Sequence, residues 1–243
     1  MLKKQLRISK YRSEKSEARS EKLRHKKYCF YFLLFTVCCS LFAVSCAPKH
    51  VEMPSYEKVS LNEALAELKK TTTIDAVLSV EYEKDDIMMS GDAALMLSEN
   101  KLDLKLYYLG FLYGEVKEEN GVVKSKPLLN RNKSILLVEG LKNSFFWWNI
   151  KDYTISEKED MNELKNSTRQ ILISKKTMLP VQQIIKINNT DELKISYDSP
   201  AKIKTDEANS PNPPLSQWYQ SHLKIEFKKY LVRIEVKSYS VTR

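Results

Sequence analysis

From Ile74 to Leu106 an apolar side chain recurs at nearly every second position. Ile74, Ala76, Leu78, Val80 and Tyr82 alternate with Asp75, Val77, Ser79, Glu81 and Glu83. Ile87, Met89, Gly91, Ala93, Leu95 and Leu97 continue the alternation, and Leu102, Leu104 and Leu106 alternate with Lys101, Asp103 and Lys105. A period of two belongs to extended chain, in which successive side chains face opposite sides of a sheet. These segments therefore read as long antiparallel strands with one oily and one wet face. Lys84-Asp85-Asp86 supplies a polar turn. Asn120-Gly121, between Val116 and Val122, is a two-residue hairpin signal. An oily face of this extent has to be covered by another layer.

Two segments have the helical spacing to cover it. Ser60 to Lys70 places Leu61, Ala64, Leu65 and Leu68 on one face, with Ser60 and Glu63 spaced as a capping box and two closing lysines. Ser134 to Ile150 breaks the alternation and reads as about three helical turns carrying Leu136, Leu141, Phe145, Trp147 and Trp148. Strands are expected to resume near Tyr153, at 169–174, 181–187, 193–197, 222–227 and 230–238. Lys175-Lys176, Asn188-Asn189 and Lys228-Lys229 are plausible turns between them. Pro200 to Leu215, with Pro211, Pro213 and Pro214, reads as a long loop. The expected fold is α+β: a curled antiparallel sheet, or half-barrel, of about nine to eleven strands with helices covering its concave face. It forms one domain over residues 60–243.

The basicity of the chain lies outside that domain. Net charge is +9, which alone suggests a nucleic-acid or anionic-membrane partner. Residues 1–27 hold eleven Lys/Arg against three acids, a net +8, which leaves +1 for all that follows. The body thus lacks the electrostatic footprint of a nucleic-acid binder. Tyr28 to Pro48 is then free of charge, and Tyr28 to Val44 (YCFYFLLFTVCCSLFAV) is apolar apart from its Tyr, Thr and Ser members. A basic flank, an apolar core and small residues form the pattern of an export signal, with the positive flank cytoplasmic. Read otherwise, the 21 residues from Tyr28 to Pro48, at about 1.5 Å each, span a bilayer uncleaved. On either reading the body from Lys49 lies outside the cytoplasmic membrane.

Ala43-Val44-Ser45-Cys46 closes the apolar run and resembles the bacterial lipoprotein signal. The resemblance implies that residues 1–45 are removed and that Cys46 is acylated. Residues 46–59 (from Cys46 through APKHVEMPSYEKV) would then serve as lipidated anchor and tether. Ala47 supplies no Asp of the kind that marks inner-membrane retention. The expected location is the outer membrane facing the periplasm, with inner-membrane anchoring as the alternative. All four cysteines, Cys29, Cys38, Cys39 and Cys46, lie in or beside the apolar run. The body therefore has no disulfide framework, thiolate catalyst or Cys metal site.

Catalytic motifs are absent. The body has two histidines, His50 and His222, too few and too separate for a transition-metal site. It holds no G-x-S-x-G elbow, phosphate-binding Gly-rich loop or H-E-x-x-H. Glu157, Glu159 and Asp160 read as a solvated turn. No catalytic residue, metal or cofactor is expected beyond the covalent lipid on Cys46.

One turn departs from polar composition. Tyr107-Tyr108-Leu109-Gly110-Phe111-Leu112-Tyr113 joins two strands with four aromatics and two leucines around one glycine. Either it folds back into the core or it forms a protruding apolar tip that touches lipid. Here the chain resembles the LolA/LolB-like lipoprotein-localisation family, most closely over Leu102 to Val116 (LDLKLYYLGFLYGEV). The order of anchor cysteine, tether, helix, strand meander, Asn-Gly hairpin and Trp-containing helical segment agrees with it. In LolB-type members a leucine precedes a glycine in an exposed loop. The matching residue is Leu109, preceded by Tyr108 where the family tends to have Pro. The resemblance implies a half-barrel whose apolar cavity takes lipoprotein acyl chains. It implies membrane contact by Tyr108, Leu109, Gly110 and Phe111, and a cavity lined by Leu78, Val80, Leu104, Leu106, Phe145 and Trp148. It implies membrane lipid and lipoprotein acyl chains or a periplasmic carrier as partners, with the chain a monomer. A structural or assembly lipoprotein that binds an envelope protein, through a sheet edge or Trp147-Trp148, is the alternative.

Overall fold

A computed structural model describes residues 55–56, 59–203 and 217–243. The basic leader, the apolar run, Cys46, most of the tether and most of the Pro-rich segment lie outside the described residues. Helix α1 (Leu61–Leu68) begins at Ser60, whose hydroxyl accepts from the Glu63 N–H while the Glu63 carboxylate accepts from the Ser60 N–H, the expected capping box. It buries Leu61, Ala64, Leu65 and Leu68. Strands β1 (Thr73–Lys84), β2 (Ile87–Ser98), β3 (Lys101–Tyr108), β4 (Phe111–Glu119) and β5 (Val122–Lys126) follow as a meander. A helical segment then comprises α2 (Arg131–Ser134), a π-helical turn (Ile135–Glu139) and α3 (Gly140–Phe145). Seven more strands complete the chain: β6 (Thr154–Lys158), β7 (Met161–Lys165), β8 (Arg169–Ser174), β9 (Pro180–Lys186), β10 (Glu192–Lys202), β11 (Trp218–Phe227) and β12 (Tyr230–Thr242).

All twelve strands belong to one antiparallel sheet in the order β5-β4-β3-β2-β1-β12-β11-β10-β9-β8-β7-β6. The first strand pairs with the last, from Thr73 with Thr242 to Lys84 with Tyr230. That pairing puts β5 and β6 at opposite edges. The helical segment that joins them must therefore cross the inner face of the sheet. Fifteen helical residues reach about 22 Å, whereas twelve strands laid flat span about 53 Å. A flat sheet would leave most of its oily face in water. The sheet is instead open and curled, with register shifts at Val77/Leu78, Leu106/Tyr107 and Leu172/Ile173, the kind of irregularity that bends strands.

The core lies between the inner face and the helices. Leu78, Leu104, Leu136, Leu141, Ile225 and Ile234 meet there, together with the α1 leucines. The helical segment packs tightly at Gly140, where an added Cβ would lie 2.9 Å from Ile225 Cγ2. Glu118, buried on the inner face, accepts from Lys142 Nζ at 2.7 Å and from the Gly121 N–H at 2.7 Å, which ties α3 to the β4–β5 turn. Tyr56 is also buried, and its N–H donates to the Lys176 carbonyl at 3.0 Å, so contacts with the body begin before Ser60.

Three expectations are corrected. The sheet has twelve strands, not nine to eleven. The additional pairing lies in the β6–β7 hairpin; every residue of the edge strand β6 is exposed, so no oily face marks it in the sequence. Among the described residues the fold is predominantly β, with α-helix and π-helix only in α1 and residues 131–145. Finally, β10 continues through Pro200 to Lys202, which pair with Gln220 to Trp218. Its pairing with β9 covers only Glu192 to Ser196, so Pro200 occupies a stretch with a single strand neighbour, where a missing N–H is tolerated.

Candidate functional site

The β3–β4 turn protrudes. Tyr108 pairs with Phe111 around the two-residue turn Leu109-Gly110, with φ of 50° and 81°. Leu109 and Phe111 are each 79% exposed, and Tyr108, Leu112 and Tyr113 are exposed as well. Positive φ at both central positions is a type I′ turn, which favours Asn-Gly or Asp-Gly. The β4–β5 turn of the same chain obeys that preference with Asn120-Gly121, at φ of 51° and 83°. A leucine in the left-handed region is strained by roughly 1–2 kcal/mol, and its side chain is not buried in return. Leu109→Asn is accordingly expected to raise unfolding stability by about 1 kcal/mol, measured by urea denaturation; a loss would refute strain at this turn.

Other apolar side chains share this end of the sheet. Ile87, Met88 and Met89 leave the β1–β2 turn exposed. Leu128, 90% exposed, follows Lys126, which pairs with Glu115 on β4. The sequence shows these residues only as members of an alternation or a connector; the registers bring them to the same end of the sheet as the tip.

A cavity of about 160 Å³ is bordered by Tyr108 and Tyr113, which flank the tip. Its walls include Val80, Leu106, Leu136, Leu137 and Val232, and its rim includes Tyr107, Tyr108 and Tyr113. Tyr82 also lines it, and burial and the neighbouring Tyr230 and Asp85 push its phenol pKa upward. The Lys133 ammonium lies 5.4 Å from the centre of the Tyr82 ring. Of the six residues read from sequence as cavity lining, Val80 and Leu106 border this cavity. Leu78 and Leu104 lie deeper, almost fully buried, around a void of about 10 Å³ that Val80 and Leu106 share. Phe145 and Trp148 stand apart, around a void of about 20 Å³ with Trp218, Tyr219 and Tyr239. Trp147 and Trp148 are both buried and offer no surface to a partner. Cys46 lies outside the described residues.

The helix that roofs the cavity is held at its other end by a polar group that periodicity does not flag. Arg169, at the start of β8, is buried. It donates to Gln183 Oε1 at 2.8 and 2.5 Å, and to the carbonyls of Asn143, Trp147 and Asn149 at 3.2, 3.0 and 3.1 Å. Gln183 Nε2 donates to the Asn143 carbonyl at 2.9 Å and to the Tyr197 hydroxyl. Tyr197 reaches the Ser144 carbonyl at 3.3 Å. The last carbonyls of a helix have no partner within it and carry partial negative charge; here a guanidinium, an amide and a phenol satisfy them. Burial lowers the Arg169 pKa to about 10, which leaves it charged at neutral pH. Burial drives the Tyr197 pKa upward, so it stays a neutral donor.

Among the described residues, no group of three or more His, Cys, Asp or Glu is placed to hold a metal ion, and no helix is long and apolar enough to cross a membrane. No model of a protein family matches the sequence, and no curated protein matches it. Solved structures similar to the chain include a LolA superfamily protein from Nitrosomonas europaea, with TM-score 0.49 and 8% identity over 76% of this chain and 94% of that one. A DUF1329 family protein from Desulfovibrio piger gives TM-score 0.45 and 10% identity over 78% and 94%. A domain from Vibrio parahaemolyticus, proposed to be an outer membrane lipoprotein-sorting protein domain, gives 0.40 and 9% over 76% and 93%.

Proposed function

We propose that this chain is a lipid-anchored, non-enzymatic protein of the outer membrane that faces the periplasm. It receives acyl chains of incoming lipoproteins in its apolar cavity and helps insert them into the bilayer. The observation that carries the reading is the juxtaposition of a protruding apolar turn, Leu109 and Phe111 each 79% exposed, with an apolar cavity bordered by the flanking Tyr108 and Tyr113. Cys46, acylated, holds the body at the membrane. A single chain anchors only marginally, so a multiply acylated terminus is needed. The tip then meets the bilayer at the high effective concentration that tethering provides. Leu109→Glu is expected to leave the unfolding midpoint unchanged and to abolish transfer of a lipoprotein into vesicles. Transfer at the wild-type rate would refute the tip's role.

A second reading has an observation in its favour. The cavity, at about 160 Å³, is smaller than the roughly 300–1,000 Å³ of most ligand pockets. A structural lipoprotein that binds an envelope protein needs no larger space. Loading with a photoactivatable acyl chain separates the two: adducts on Leu106 or Leu137 support the carrier, and adducts confined to the exposed tip support the structural role.

A further inference from the structure

Two polar groups of residues that line the cavity, the Tyr82 hydroxyl and the Lys133 ammonium, have no hydrogen-bond or carboxylate partner among the described residues. The Tyr82 hydroxyl is buried and makes no hydrogen bond. Lys133, half-buried above the Tyr82 ring, has no carboxylate within 4.0 Å among the described residues. Asp92 and Glu115 also border the cavity, but strand alternation turns their side chains to the outer face. Asp92 precedes the inward Ala93, and Glu115 pairs with Lys105 and Lys126 beside the inward Gly114. Lys84, the other inner-face cation at this end, is occupied by Asp85 at 4.0 Å. An unpaired buried hydroxyl is destabilising, and an ammonium over an aromatic face is only partly compensated. An anionic oxygen is the acceptor that both groups can share, since the phenol donates a hydrogen bond and the ammonium supplies the opposite charge.

We propose that the cavity binds a single-chain amphiphile with an anionic oxygen head, its chain among Leu106, Leu136 and Leu137 and its head between the Tyr82 hydroxyl and the Lys133 ammonium. The inference rests on the acyl-cavity reading and adds a ligand class to it: besides lipoprotein acyl chains, which end in neutral ester and amide groups, the cavity takes carboxylate- or phosphate-headed chains. Tyr82 donates a hydrogen bond and Lys133 a charge-assisted one.

The test uses the full-length protein held in an amphipathic polymer, with equilibrium binding of hexadecanoate, hexadecyl phosphate and uncharged hexadecanol. Both anionic probes are expected to bind about ten- to a hundredfold more tightly than the alcohol. Tyr82→Phe and Lys133→Gln, alone or together, should reduce that preference towards unity while leaving alcohol binding in place. Tyr82→Phe, which removes an unpaired hydroxyl, should not lower stability. Equal binding of all three probes overturns the head site and leaves the acyl cavity standing. An anionic preference that survives both substitutions also overturns it. Binding of none overturns both.

Discussion

The body from Ala47 onward carrying both Leu109→Glu and Phe111→Glu is expected to lose a hundredfold or more in partition onto phosphatidylcholine vesicles, with its unfolding midpoint unchanged. The magnitude follows from burial. A large apolar side chain moved out of water is worth roughly 1.5–3 kcal/mol, so two contribute about 3–6 kcal/mol when fully buried, a factor on the order of 10² to 10⁴. Burial in an interface is partial, which sets the expectation at the lower end. Stability is spared because both side chains point into solvent, and glutamate at Leu109 meets the same left-handed backbone, φ 50°, that leucine already occupies. Flotation or co-sedimentation with vesicles reads the effect directly. Undiminished vesicle binding by the double variant would mean that the tip does not touch lipid. A drop in unfolding midpoint would instead place these side chains in the core.

The second large effect concerns the helix over the cavity. Arg169→Met removes every donor from the Gln183 amide oxygen and from the Trp147 and Asn149 carbonyls, while the Asn143 carbonyl keeps Gln183. Each buried acceptor left unpaired costs about 1–3 kcal/mol, and the interaction of a cation with the helix C-terminus is lost as well. The expected loss is about 3–5 kcal/mol, in the range that marks a broken buried network. Urea denaturation measures it, and a loss below about 1 kcal/mol would show the carbonyls finding water or other partners. Arg169→Lys should recover only part, because a single ammonium cannot fork to four acceptors on three elements. If the helix loosens, the cavity it roofs loosens with it, so acyl binding should weaken in the same variant although Arg169 lies far from the tip in the chain.

The chain determines its local geometry by spacing alone. Alternation from Ile74 to Leu106 chooses strands and their inner face because a period of two is a property of each residue and its neighbours. Ser60 and Glu63 start α1 through hydrogen bonds three residues apart, and Asn120-Gly121 turns the chain because its two residues tolerate positive φ. The apolar composition of Tyr107 to Tyr113 marks that turn as unusual. Whether it protrudes or folds inward is not a local property. It depends on the bulge after Leu106 and on where the neighbouring strands end. Long-range pairing decides the rest. Thr73 meets Thr242, and only then do β5 and β6 become opposite edges and force residues 131–145 across the inner face. That crossing separates Phe145 and Trp148 from the cavity beside Val80 and Leu106. It also gathers the Asn143, Trp147 and Asn149 carbonyls around Arg169, and brings Lys133 over Tyr82. In the sequence these are one arginine in a strand and one lysine in a connector. They acquire roles through contacts between elements distant in the chain, which no spacing rule contains.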